Sequence, residues 1–184
     1  GNFMKIRQTI FLLPLFLLAG CASAGGSQSR DLDLKELCTE EQVFQYADFE
    51  WGTDSEQLFK QSSLKFDEKD LGQGDESSTK TYESKEKFSL ENAESNMDLE
   101  FSDDQLSQVS FTFDIEQDAN TWIQKEVDKL NSLYGGGIAT GLGNQIYQWQ
   151  GEQDTVLQLT AFTEGDESAT VILSVASMEY SIGS

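Results

Sequence analysis

Histidine is absent from this sequence, and the absence removes a good deal of chemistry. A Ser or Cys nucleophile ordinarily relies on a neighbouring imidazole as its base, and zinc and copper sites ordinarily draw on imidazole or on several thiolates. Thiols are scarce too, since Cys21 and Cys38 are the two cysteines present. With no His to activate it, Cys38 reads as a small buried hydrophobe, an intermolecular disulfide being its other role. No Ser-x-x-Lys or Gly-x-Ser-x-Gly arrangement falls on a strand-to-helix turn. A glycosidase-type carboxylate pair stays open, but among 33 acidic side chains two are bound to approach somewhere, so proximity carries little information.

Positive charge is also in short supply. The 12 Lys and Arg face 33 Asp and Glu, a formal net charge of −21. Nucleic-acid binding takes much of its affinity from cationic side chains on phosphates, so this balance argues against it. Docking on anionic lipid through a basic patch is disfavoured for the same reason. A basic protein partner, a divalent cation or a simply solvated exterior remain. No hydrophobic run is long: Ile10–Leu18 is about half of the roughly 20 residues that a permanent span requires, and it contains Pro14, the single proline.

That short run belongs to a leader. Gly1-Asn2-Phe3 precede Met4, read as a cloning remnant or an overlong start, and are set aside. From residue 4 to 20 the positive pair Lys5 and Arg7, the apolar stretch and a few small residues follow in the order of a secretory signal peptide. It ends in Leu18-Ala19-Gly20-Cys21, which resembles the lipobox of bacterial lipoproteins. Membership of that class implies cleavage before Cys21, a diacylglyceryl thioether on its sulfur and an acylated new amino terminus, hence a chain held at the cell envelope. Each buried methylene contributes roughly 0.8 kcal/mol, so two or three acyl chains make such attachment lasting. Ala22 stands where inner-membrane retention uses Asp, so the resemblance implies an outer-membrane location facing the periplasm in a Gram-negative source. Residues 21–30, rich in Gly and Ser, read as a flexible tether.

Residues 31–184 are long enough for one sizeable core, and with Cys21 lipidated no internal disulfide can brace it. Thr39-Glu40-Glu41-Gln42 fits a capping box opening a short helix through Tyr46, after an apolar turn at Leu34, Leu37 and Cys38. Thr53-Asp54-Ser55-Glu56 fits another, predicting a helix from about Asp54 to Ser63 that buries Leu58, Phe59 and Ser62. Residues 67–79, acidic and Gly-containing, read as a loop. The period then becomes two: Tyr82, Ser84, Glu86, Phe88 and Leu90; Met97, Leu99 and Phe101; Val109, Phe111 and Phe113. A helix over 119–134 carries Ile123, Val127, Leu130 and Tyr134 at helical spacing and stops at Gly135-Gly136-Gly137. Strands over 146–150, 155–162 and 169–177 complete the pattern, the last two joined through Glu164–Glu167.

The expected class is therefore α+β, a tandem helix-plus-three-strand antiparallel pseudo-repeat (about 49–114 and 115–180) with its helices on one face of the sheet. This element order resembles small envelope proteins built from αβ repeats, such as the β-lactamase inhibitor protein and the small lipoprotein of the outer-membrane barrel-assembly machinery. Phe49-x-Trp51-Gly52-x-x-x-Glu56 likewise resembles helix openings in bacterial lipoproteins of this kind. The resemblance implies a protein-binding envelope domain and transfers no functional residue.

Candidate ligand features are few. Gly135–Gly137 and Gly141-x-Gly143 follow a helix carboxy terminus, where phosphate is repelled, so they read as capping and loop. Asp114, Glu116 and Asp118 alternate, but without the Gly and the closing Glu of an EF-hand they read as acids at a helix start. No metal or other cofactor is expected. Phe44, Tyr46, Phe49 and Trp51 cluster before the first helix, and Tyr147 and Trp149 alternate on a strand; such rings are core residues or a platform for a sugar or a partner. The expected function is non-enzymatic binding of another envelope protein, as assembly factor or inhibitor. The alternative is a carbohydrate-binding or carbohydrate-acting protein, which calls for a cleft that holds Trp51 or Trp149 in solvent beside two acids.

Overall fold

The computed structural model describes residues 29–71, 78–140, 145–165 and 167–181. The leader, Cys21, most of the tether and the Gly141-x-Gly143 pair lie outside the described residues. The fold is a mostly-sheet α+β arrangement: one open nine-stranded sheet with helices against one of its faces. In chain order the strands are β1 (Ser29–Asp31), β2 (Phe66–Lys69), β3 (Thr79–Leu90), β4 (Ala93–Ser102), β5 (Gln105–Ile115), β6 (Ile138–Thr140), β7 (Gln145–Gln150), β8 (Thr155–Glu164) and β9 (Ser168–Ser177). The helices are α1 (Ser55–Gln61), α2 (Ala119–Tyr134) and the single turn α3 (Met178–Ser181). No helix among the described residues is long and apolar enough to cross a membrane.

Across the sheet the order is β1-β3-β4-β5-β9-β8-β7-β6. Two meanders, β3–β5 and β7–β9, meet where β5 pairs antiparallel with β9 from Gln108↔Ala176 to Ile115↔Ala169. The outer edge of β3 is shared: β2 pairs antiparallel along Thr81–Ser84, and β1 pairs parallel along Lys87–Ser89. That split coincides with a bulge between Glu83 and Lys87, where β3 changes register against β4. The sheet thus already includes Ser29 and Arg30.

Cross-strand pairing places Trp149, Leu157, Val175, Val109 and Leu99 in one row and Tyr147, Leu159, Leu173, Phe111 and Met97 in the next. This face is the core. Phe88, Phe101, Phe111 and Phe113 are all buried on it and contact one another and their neighbours edge-on or stacked. Both longer helices lie here. Leu58 of α1 is buried and Phe59 stacks on Phe66 and meets Tyr82 and Phe101. On α2, Ile123, Val127 and Leu130 face the sheet, and Trp122 tilts against Phe113. Apolar positions at helical spacing produce that stripe, and Gly135 at φ 88° ends the helix through its N–H to Asn131.

Between β1 and α1 the chain covers the rest of the core face with Leu32, Leu34, Leu37, Phe44, Tyr46 and Phe49. The helix expected over 39–46 does not form. Leu34–Leu37 is a 3-10 turn capped by Asp33, and the next residues fold into a tight loop in which Thr39 N–H donates to Val43 C=O, Gln42 N–H donates to Thr39 C=O and Cys38 bridges to Phe44. Gln42 sits at φ 65° and Ala47 at φ 46°, and left-handed residues at both places prevent helix propagation. The Thr39 hydroxyl does accept from the N–H of Val43, but it closes this loop.

Four further expectations are corrected. α1 is capped by Asp54, whose carboxylate accepts from Gln57 N–H at 2.8 Å, while the Thr53 hydroxyl turns back to donate to Glu50 C=O. The helix ends at Gln61, since Ser62 is extended (φ −83°, ψ 140°) and stays half-buried. Within 67–79, Asp67–Lys69 belong to β2. Short strand β6, within the glycine region, adds an edge to β7.

Candidate functional site

Three glutamates, two aromatic rings and two amides converge where the covering segment meets the end of β9. Thr39, Glu41, Val43, Gln45, Glu50, Trp51, Gln153, Ser177, Glu179 and Tyr180 line a cleft of about 380 Å³. The sequence places each for a local reason. Trp51 is fixed by its own indole, whose Nε1 donates to Phe44 C=O at 2.7 Å. Gly52, at φ 84°, turns the chain so that its N–H reaches Leu106 C=O. Its missing side chain also admits Tyr180: a Cβ there would fall 2.6 Å from the phenol ring. Tyr180 rides on α3, held by Met178 N–H to Asp154 C=O and by the Ser181 hydroxyl to Ser107 C=O.

Charge in the cleft has one sign. Glu41, Glu50 and Glu179 line it, no basic residue does, and none of the three takes part in an ion pair among the described residues. Ser177 also lines it; this residue is only 2% exposed, and its hydroxyl has no hydrogen-bond partner among the described residues. The Gln45 amide is engaged by donating to Ala47 C=O. A cleft with aromatic walls, amides and unpaired carboxylates can stack on and hydrogen-bond a polar organic ligand. No group of three His, Cys, Asp or Glu among the described residues is arranged around a metal ion.

The other rings singled out in the sequence go elsewhere. Phe44, Tyr46 and Phe49 are buried. Trp149 is 3% exposed and spends its N–H on Gly135 C=O at 3.0 Å and Asn131 Oδ1 at 3.2 Å. Tyr147 is half-buried against the core. Cys38 is half-buried and free, and burial pushes its thiol pKa up, away from reactivity. Asp114, Glu116 and Asp118 are all exposed; Asp114 accepts from the Thr170 hydroxyl at 3.0 Å, and Asp118 occupies the α2 N-cap without a side-chain bond. Tyr180 and Ser177 were not legible as site residues.

The second surface is the opposite face of the sheet, which neither α1 nor α2 covers. On β3–β5 it is acidic: Glu83, Asp98, Glu100 and Asp114. Burial raises the carboxyl pKa of Asp98, against a lowering by the Lys69 ammonium at 3.1 Å, and burial alone raises that of Glu100. On β7–β9 the same face carries Gln148, Gln158, Ser174, Ile146 and Ile172 with an exposed Phe162. A third feature, a groove of about 630 Å³ between Leu32–Lys35 and α2, has lysines on its rim, but Lys125 and Lys129 already bond Glu91.

No protein-family model, no curated protein and no solved structure matches the chain.

Proposed function

We propose that this is a bacterial envelope lipoprotein, anchored through Cys21, whose acidic α+β domain binds another envelope protein as an assembly factor or inhibitor without catalysing a reaction. The observation that carries the reading is the open sheet face, acidic over β3–β5 and amide-rich with aliphatic side chains over β7–β9. A basic partner surface with an apolar flank complements it in charge and chemistry. The missing His and the leader ending at Cys21 support the same reading.

The halves 49–114 and 115–180 are read as a tandem pseudo-repeat. In support, each helix is followed by a short antiparallel edge strand and then a three-strand meander, and the two meanders meet antiparallel at β5 and β9. Thr112 and Ile172, roughly 60 residues apart, face each other across that seam, as a two-fold axis normal to the sheet requires.

Photo-crosslinkers at Thr112 and Phe162, used in envelope extract with Cys21→Ser protein, test the binding reading. A single crosslinked species should appear from both positions and disappear on Glu100→Lys with Asp114→Lys. Its persistence in that double variant, or the lack of any adduct, would count against the face. A second reading, carbohydrate binding, is favoured by one observation: Trp51 is half-buried in a cleft beside Glu41, Glu50 and Glu179.

A further inference from the structure

We infer that the Trp51–Tyr180 cleft binds a protonated amine, carried either by a polyamine or by an amino sugar; this deepens the carbohydrate reading and rests on the same cleft. The hydroxyls of a neutral sugar can donate to a carboxylate, but such a ligand leaves the three like charges of Glu41, Glu50 and Glu179 uncompensated in one cleft. An ammonium compensates them, because it can donate to Glu50, Glu179 or Glu41 while its carbon skeleton lies against Trp51 and Tyr180, whose π faces attract cations as well.

Three features make this more than a group of acids on an acidic chain. Both rings are held before any ligand arrives, Trp51 through Phe44 C=O and Tyr180 through its seat on Gly52, so little ordering is left for binding to provide. Ser177, almost fully buried, offers the cleft a hydroxyl with no partner among the described residues. Among the described residues, no Lys or Arg lines the cleft to neutralise its glutamates.

Calorimetry of the full chain with spermidine, with a glucosamine oligomer and with the neutral N-acetylglucosamine oligomer separates the possibilities, with the Trp51 indole N–H resonance reporting the site. At least one amine should bind and shift that resonance. Glu50→Gln and Glu179→Gln should each weaken it about tenfold, the loss of one hydrogen bond to a charged group, with the melting temperature unchanged. Binding of spermidine alone, or of glucosamine alone, identifies which source carries the amine. Equal binding of the N-acetylated oligomer would overturn amine recognition and leave the carbohydrate reading standing, whereas no binding of any of the three would remove both. Amine binding that survives both Gln substitutions would reduce it to diffuse attraction by a chain of net charge −21 and refute the site.

Discussion

Replacing Glu126 by Gln should make the protein more stable at pH 8 and leave it nearly unchanged at pH 5. Glu126 sits on the buried side of α2 with 1% of its surface exposed. Its Oε1 accepts from Lys129 Nζ at 3.2 Å, but Oε2 is buried with no partner among the described residues. Leaving a buried polar atom unsatisfied costs about 1–3 kcal/mol, more when it is charged. Gln keeps the volume and an acceptor for Lys129, and Lys129 retains its bond to Glu91, so the substitution removes the charge without stranding the ammonium. Burial first, then the nearby Glu91 carboxylate, raise the Glu126 pKa against the lowering by Lys129. The folded state therefore holds its proton more tightly than the unfolded chain does. Stability from this group is complete below the ordinary glutamate range and is lost as pH rises through the raised value. Urea denaturation of both proteins at pH 5 and pH 8 should give a difference within about 0.5 kcal/mol at the lower pH and a gain of about 1–2 kcal/mol for the variant at the higher. A variant less stable than the parent at pH 8 would refute the reasoning, since the Lys129 pair would then outweigh the orphaned oxygen.

Gly52→Ala should cost about 2 kcal/mol, because Ala is strained at φ 84° and its Cβ meets the Tyr180 ring; urea denaturation gives the cost, and heightened proteolysis after Tyr180 would report the displaced α3. Glu91→Gln acts with the opposite pH sign to Glu126. Hydrogen bonds from Lys125 and Lys129 hold the Glu91 pKa down at about 2, so its stabilisation is present above the normal glutamate range and lost as pH falls toward 2. The variant should melt below the parent at pH 7, with the gap closing in acid. Phe111→Ala, at the centre of the core where Tyr46, Phe88 and Phe113 meet it, should cost about 3–5 kcal/mol by chemical denaturation.

How much of this was legible depended on whether an element buries one regular face. α2 was readable to its ends because Ile123, Val127, Leu130 and Tyr134 keep a helical period and Gly135 stops it. β4, β5, β8 and β9 were readable because alternating residues enter the core. β1, β2 and β6 were not: edge strands of three or four residues held by backbone pairing need no alternating face, and Ser29-Arg30-Asp31 contains no apolar residue. Thr39–Gln42 matched the capping pattern of a helix but folds as a loop, with left-handed backbone at Gln42 and Ala47 and with Val43, Phe44 and Tyr46 all buried. In the cleft, Trp51 and its acids were visible as a cluster. Tyr180 lay past the last strand, and the one sign of it was a glycine after Trp51 whose purpose emerges only once α3 is placed.

On the repeat reading, the location of the cleft follows from where the two halves differ. Edge strand, meander and helix have counterparts in both, but the covering segment from Leu32 to Trp51 precedes only the first helix. Its later part folds against the turn between β7 and β8 of the other half: Phe44 N–H donates to Thr155 Oγ1 at 2.9 Å, Glu152 N–H to Gln42 C=O at 2.8 Å, and Gly151 leaves room for the Phe44 ring. A symmetric pair would bury this end of the sheet alike on both sides. The unmatched segment instead meets α3 across a gap, and the gap is lined by whatever both pieces leave outward, Trp51 and Glu50 from one and Tyr180 and Glu179 from the other. The site therefore depends on docking the covering segment against the β7–β8 connection and α3, so breaking the Phe44–Thr155 bond with Thr155→Val should loosen the cleft before it unfolds the sheet. Hydrogen exchange should show faster exchange at Gly52 and Met178 amides with Leu157 and Leu173 still protected; simultaneous loss of protection at all four would mean that the covering segment and the sheet are one cooperative unit, and this account of the cleft would fail.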